Sequence, residues 1–147
     1  MPTSTADLSK LQREFMHRHR AQHQKIVESL GLYYGQPIML MKLFEEGELT
    51  QKELSEEMNI TPASVAVSVK RMEKAGLLIR QADPSDLRFN KVNLTAKGSE
   101  IARKCKNGFH RVDELCFRGF SQQELETLRE YFERMIQNLI FNKEESL

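Results

Sequence analysis

Apolar residues recur every three or four positions over most of this chain, which is the spacing of one face of an α-helix. The helical patterns cover residues 7–30, 37–46, 51–58, 62–75, 96–118 and 122 onward. The second pattern is apolar on most of its positions, which indicates a largely buried helix. The pattern as a whole predicts a mainly α-helical protein.

Short polar signals predict where the central helices begin and end. Thr50 and Glu53, three residues apart, predict a capping box at the start of the third helix. Asn59 suits the left-handed conformation that ends a helix, and Thr61 with Pro62 begins the next one. The gap between the two helices is too short for antiparallel packing. Residues 50–75 are therefore predicted to form a helix-turn-helix with steeply crossed helices.

Two short runs with the character of β-strands follow the helix-turn-helix, at residues 77–81 and 89–94. The residues between them begin with Asp83-Pro84-Ser85-Asp86, which is turn chemistry. Thr95 then caps the next helix. The order of elements predicts a winged helix-turn-helix: a recognition helix followed directly by a two-stranded wing.

Composition limits the classes of function. The chain has 147 residues, 39% hydrophobic and 29% charged, with a formal net charge of +1. No apolar run reaches the roughly 20 residues that a membrane helix needs, and no signal-peptide pattern is present, so a cytoplasmic protein is expected. No Ser/His/Asp set, phosphate-binding loop or paired-carboxylate motif is found, so neither an enzyme nor a cofactor is expected.

The fourth helix has two different faces. Val65, Val69 and Met72 form a stripe that is predicted to be buried. The opposite face combines short side chains with two basic ones, namely Ala63, Ser64, Ala66, Val67, Lys70 and Arg71. Short side chains let a helix sit deep in the major groove of DNA, where a hydroxyl can bond a base edge and a methyl group can contact thymine.

The flanks of this helix suit the DNA backbone. Lys70 and Arg71 are predicted to contact phosphates, as are Thr61 and the unpaired N–H groups at the helix start. Near the hairpin tip, Arg88 is predicted to enter the minor groove, with Asp86 as the residue that orients it. The alternatives are a helical pair that packs on a protein partner and an ordinary surface salt bridge at the tip.

Several segments resemble the MarR family of bacterial transcription regulators. They are Lys52-Glu53-Leu54-Ser55, Thr61-Pro62-Ala63-Ser64-Val65, Lys70–Leu77, Asp83-Pro84-Ser85-Asp86-Leu87-Arg88 and Leu94-Thr95-Ala96-Lys97-Gly98. The resemblance implies a homodimer on pseudo-palindromic DNA, usually a repressor, that often responds to a small aromatic anion. It also implies that Arg88 is the wing arginine and Asp86 its partner.

The two ends of the chain carry long apolar stripes that a small central domain cannot cover. The last helix repeats apolar residues at spacings of three and four, at Leu125, Leu128, Phe132, Met135 and Leu139. A stripe of this length normally packs against a partner helix. Residues 1–35 and 99–147 are therefore predicted to form a dimerisation region, and residues 36–98 the DNA-binding lobe.

Candidate residues for binding a small molecule lie where the first two helices meet. In the family, the junction of the first two helices borders the effector pocket, which makes Tyr33, Tyr34, Met39 and Met41 candidates; a plain core is the alternative.

His19 and His23 lie one turn apart on one helix face and are candidate metal ligands, for zinc above all, against the alternative of a solvated basic face. Cys105 and Cys116 lie on one helix, too far apart to pair, and Cys105 is expected to be an inert core thiol.

Overall fold

In the computed structural model, residues 2–33, 35–82 and 90–141 are described. Within these ranges the elements are α1 (Thr5–Ser29), α2 (Gln36–Glu46), β1 (Leu49–Thr50), α3 (Gln51–Met58), α4 (Pro62–Lys74), β2 (Leu78–Ala82), β3 (Asn90–Leu94), α5 (Ala96–Cys116) and α6 (Gln122–Phe141). All six predicted helices are present, which confirms the mainly α-helical class.

The third helix starts and ends at the residues predicted to cap it. Thr50 and Glu53 form the expected capping box on α3, and Asn59 ends that helix with φ of 51°. The first helix begins two residues before its predicted start, because Ser4 and Asp7 form a capping box that the apolar pattern does not reveal. The second helix is less buried than predicted, since Ile38 and Phe44 are exposed.

The sheet has one strand more than the predicted two-stranded hairpin. In the described residues the strand order is β1-β3-β2, and both pairings are antiparallel. The added strand β1 pairs only two residues with β3, Leu49 with Val92 and Thr50 with Lys91. A two-residue strand is too short to show alternation, so the sequence predicts only a helix start there. Because β1 directly precedes α3, its pairing with β3 joins the wing to the helix-turn-helix.

Residues 1–112 form one compact unit with a single described core. The predicted stripe of α4 lies in it, with Val65, Val69 and Met72 all 0% exposed. The helix α5 contributes Ala102 and Cys105, so Cys105 is the core residue that was expected. Burial raises the pKa of its thiol, which keeps it protonated and unreactive.

Residues 113–147 form a second unit that contains α6. Ser121 and Glu124 form the predicted reciprocal cap at its start. The apolar stripe is only partly covered: Leu125 and Leu128 are half-buried, whereas Phe132, Met135 and Leu139 are exposed. Across the described parts of both units, no helix combines the length and apolar character required to cross a membrane.

Candidate nucleic-acid interface

The helix-turn-helix is held by side-chain bonds at its turn. The Ser55 hydroxyl donates to the Ile60 carbonyl oxygen at 2.7 Å, which closes the turn from within. The Thr61 hydroxyl then accepts from the Ser64 backbone N–H at 3.2 Å and caps α4. Because each bond is local, the sequence could specify the turn without help from the rest of the fold.

The outer face of α4 is open along its length. Ala63, Ser64, Ala66, Lys70 and Arg71 are exposed, and so is Val67, at 53%. The Thr61 and Ser64 hydroxyl oxygens lie 2.9 Å apart, so these two hydroxyls hydrogen-bond each other. The basic residues Lys70, Arg71 and Lys74 follow the short side chains, in the last two turns. This order matches the predicted face: apolar and hydroxyl groups first, then cations.

The end of α4 is bonded to the start of α5. The Thr95 hydroxyl donates to the Gly76 carbonyl oxygen at 2.6 Å, and Lys97 Nζ donates to the Ala75 carbonyl oxygen at 2.9 Å. Thr95 also caps α5, because its hydroxyl accepts from the Gly98 N–H. The segment Leu94-Thr95-Ala96-Lys97-Gly98 therefore fixes the carbonyl end of the recognition helix, which is the physical role of this motif here.

The base of the wing is bonded to the same helix by an ion pair that sequence reasoning missed. Arg80 on β2 donates from Nε at 3.0 Å and from Nη2 at 2.7 Å to Glu73 Oε2 on α4. The bonds from Arg80 lower the pKa of the Glu73 carboxyl below its usual range. On the other strand, Lys91 pairs with Glu48 at 3.0 Å. The opposite charges on either side of Gly76 were the available signal for the first pair.

The wing tip, with Asp86 and Arg88, lies outside the described residues. The roles assigned to these two residues therefore remain predictions. The strands that lead to the tip are described as far as Ala82 and Asn90, which pair across the hairpin.

A cavity of about 290 Å³ opens between α1, the start of α2 and α5. Its apolar lining comes from Phe15, Met16, Val27, Pro37, Ile38 and Phe109, and its polar lining from His19, Arg20, His23 and Gln24. Four of these rings follow one another: Phe15 to His19 at 5.6 Å, His19 to His23 at 4.2 Å, and His23 stacked on Phe109 at 4.1 Å between centroids.

The cavity lies at the predicted junction but is lined by a different set of residues. Met39 is buried in the core and Met41 packs against it, which fits the alternative of plain core for these two. The Tyr33 side chain is exposed at 68%. Tyr34 lies outside the described residues. Sequence reasoning missed the cavity because its lining is drawn from three helices far apart in the chain.

The two candidate metal ligands are neighbours in this cavity wall. His19 and His23 are both half-buried, and their rings are the two middle members of the row of four rings described above. The cysteines form no disulfide in the described residues: Cys105 is buried and Cys116 half-buried.

Two helices joined by a tight turn, the second with an open face, followed by an antiparallel hairpin, define the winged helix-turn-helix class of DNA-binding proteins. The model of the MarR family matches residues 33–89. The HTH-type transcriptional regulator YcgE of Bacillus subtilis, itself uncharacterised, is 33% identical over 107 residues, which cover 72% of this chain and 69% of that protein. The chain belongs to the MarR family of transcriptional regulators.

Solved structures agree on the fold. A MarR family protein from Bacillus stearothermophilus is 26% identical, with a TM-score of 0.76, and the match covers 92% of this chain and 94% of that one. A mutant of MepR from S. aureus bound to an oligodeoxyribonucleotide is 21% identical, with a TM-score of 0.66 and coverage of 90% and 97%. At 21% identity, the similarity to the MepR mutant shows a shared fold.

Proposed function

We propose that this chain is a homodimeric repressor that binds pseudo-palindromic double-stranded DNA and responds to a small molecule. The observation that carries the proposal is the open face of α4, with short side chains followed by Lys70 and Arg71. The protein works by binding rather than by catalysis, and we expect it in the cytoplasm with the chromosome. A bound repressor prevents transcription by occupying the DNA that the polymerase needs.

The face of α4 supports a division of roles among the proposed contacts. Ala63 and Val67 supply apolar contacts to thymine methyl groups, and Ser64 supplies a hydroxyl to a base edge. Lys70 and Arg71, together with Thr61 at the helix start, contact phosphates. We further propose that Arg88, supported by Asp86, reads the minor groove.

Exposed apolar residues on the terminal helices support the homodimer. On α6 they are Tyr131, Phe132, Met135, Ile136, Leu139 and Ile140, and on α1 they are Leu8, Leu11, Phe15 and Met16. Leu139 is 76% exposed. Apolar patches of this extent are rare on monomers and mark protein interfaces. A two-fold dimer presents two recognition helices, which is why a pseudo-palindromic site is expected.

The cavity supports a ligand response. Its wall is mainly apolar, and Arg20 supplies a cation at its edge. Such a cavity suits a planar aromatic carboxylate, whose ring packs on apolar side chains while its charge meets a guanidinium. A zinc ion is the second candidate signal, because the rings of His19 and His23 lie 4.2 Å apart. We place the aromatic anion first, because the cavity wall is mainly apolar.

The test of DNA binding is a selection from random-sequence duplexes with the full chain. We expect a pseudo-palindrome whose half-sites lie about 10 bp apart, bound with an affinity that falls steeply as salt increases. Arg88→Ala should weaken binding to the selected duplex at least about fivefold, since a base-reading arginine contributes about 1–3 kcal/mol. Sedimentation should show the same dimer for the variant.

The matched control is Arg103→Ala, which removes the same charge from an exposed position on α5. It should leave the affinity for the selected duplex within about twofold, as surface substitutions usually do. If the selection enriches no sequence, the protein does not read DNA, and a winged-helix module for protein interaction becomes the better explanation.

A further inference from the structure

We infer that Glu73 and Arg80 are a positioning pair that fixes the wing relative to the recognition helix, and so sets sequence specificity. The inference rests on the proposed DNA binding and concerns residues that need not touch DNA. It starts from the ion pair between the last turn of α4 and the middle of β2, with Nε and Nη2 of Arg80 at 3.0 and 2.7 Å from Glu73 Oε2.

The Glu73–Arg80 ion pair lies where the buried part of strand β2 gives way to its exposed part. Leu78 and Arg80 share one face of β2, because side chains two apart in a strand point the same way. Leu78 is buried in the core, and Val92, the partner of Arg80 in the sheet register, is buried as well. Arg80 is exposed. The ion pair thus continues the contact between strand and helix beyond the hydrophobic core.

The third strand stops supporting the hairpin one residue pair beyond Arg80, at Lys91. The strand β1 pairs with β3 only at Val92 and Lys91, whereas β2 and β3 pair on to Ala82 and Asn90. Beyond Lys91 the described wing is therefore a two-stranded ribbon. Such ribbons are marginally stable alone, and their direction depends on what holds their base. A bond at Arg80 acts two residues before the end of β2 and can set that direction.

On the helix side, Glu73 belongs to the face proposed to meet DNA. Ala66, Lys70 and Glu73 follow at spacings of four and three, which places them in one row along α4. The carboxylate sits at the end of this row and engages the wing strand. The pair consequently joins the element proposed to read the major groove to the element proposed to read the minor groove. Its strength matters less than its geometry, because partly exposed ion pairs contribute little to stability.

Because Glu73 and Arg80 carry opposite charges, removing each in turn distinguishes a positioning role from a direct electrostatic effect on DNA affinity. Glu73→Ala removes a negative charge close to the proposed interface, so electrostatics alone would strengthen binding to any DNA. Arg80→Ala removes a positive charge, so electrostatics alone would weaken it. A positioning pair predicts instead that both variants act in the same direction, since either change releases the wing.

The experiment measures affinity for two probes: the duplex selected with the wild-type chain, and a duplex of the same composition with scrambled sequence. We expect both single variants to lower the ratio of the two affinities about tenfold, equivalent to about 1.4 kcal/mol. The exchanged pair, Glu73→Arg with Arg80→Glu, should recover part of the ratio. Hydroxyl-radical protection in the minor groove should be lost in the single variants, while guanine N7 protection in the major groove persists.

Glu100→Ala is the matched control, because Glu100 also pairs with an arginine, Arg103, at 2.8 Å, but within one helix. Its affinity ratio should equal that of the wild-type chain, and circular dichroism should show that all variants are folded. Opposite effects of Glu73→Ala and Arg80→Ala, equal on both probes, would overturn the inference, as would no effect of either. A wild-type chain without sequence preference would overturn the proposed function and this inference with it.

Discussion

Gly98 has no side chain, which allows α5 to start directly against the turn that follows α4. A β-carbon at this position would stand 2.0 Å from the Leu77 carbonyl oxygen, a distance that no pair of such atoms tolerates. The obstacle is backbone, which cannot rotate away as a side chain can. The close approach also allows Thr95 N–H to donate to the Leu77 carbonyl oxygen at 3.0 Å. Glycine is thus required here for space.

We predict that Gly98→Ala destabilises the protein by about 1–3 kcal/mol, the usual cost of inserting a methyl group where none fits. The measurement is urea unfolding followed by circular dichroism. Asn107→Ala, at an exposed position in the same helix, is the control and should change stability by at most about 0.5 kcal/mol. Equal stability of the two variants would mean that α5 can shift at no cost.

At the level of the element, α4 combines two functions on opposite faces. Its core face was predictable from the spacing of Val65, Val69 and Met72, and all three are buried. Its outer face was predictable from composition, because short side chains gather there. The helix was predicted to end at residue 75 and ends at Lys74, and Gly76 just beyond it takes a positive φ of 74°. What the helix alone does not show is its link to β2 through Glu73.

The same valine-to-alanine substitution, made at Val69 and at Val67, tests the two faces of α4 separately. Val69→Ala should cost about 2 kcal/mol of stability, from the buried methyl groups lost and the cavity left behind. Val67→Ala removes the same atoms from an exposed site and should change stability by at most about 0.5 kcal/mol. It should instead weaken binding to the selected duplex. Thermal unfolding and DNA titration of both variants give the comparison, and similar unfolding curves would contradict the assigned faces.

At the scale of the whole molecule, the cavity and the helix-turn-helix are connected through α2. The start of α2 lines the cavity with Pro37 and Ile38. Near its end, Lys42 bonds Glu57 of α3 at 2.8 Å as well as Glu46 of its own helix. These bonds raise the pKa of Lys42, so its ammonium group stays charged. A ligand that moves α2 would therefore also act on α3.

We predict that millimolar benzoate lowers the affinity for the selected duplex, and that neutral benzamide has a smaller effect. Arg20→Gln should reduce the response to benzoate at least about fivefold, whereas Arg18→Gln, with the same charge change two positions away, should not; coupling free energies between sites are commonly about 1–3 kcal/mol. Fluorescence anisotropy of labelled duplex measures each titration. Release by zinc chloride that is absent in a His19→Gln variant would instead identify a metal signal.

The sequence by itself determined the features that depend on neighbours in the chain. Helix periodicity, the capping boxes at Thr50 and Ser121, and the left-handed Asn59 all arise from residues within four positions of one another, so each is specified locally. The resemblance to the MarR family rests on such segments and was confirmed. The tertiary structure decided what depends on distant residues that meet. The third strand β1, the Glu73–Arg80 link and the cavity wall all join elements separated by turns or whole helices. The charges of Glu73 and Arg80 are visible in the sequence, but all three sets of contacts exist only once the core has brought the elements together.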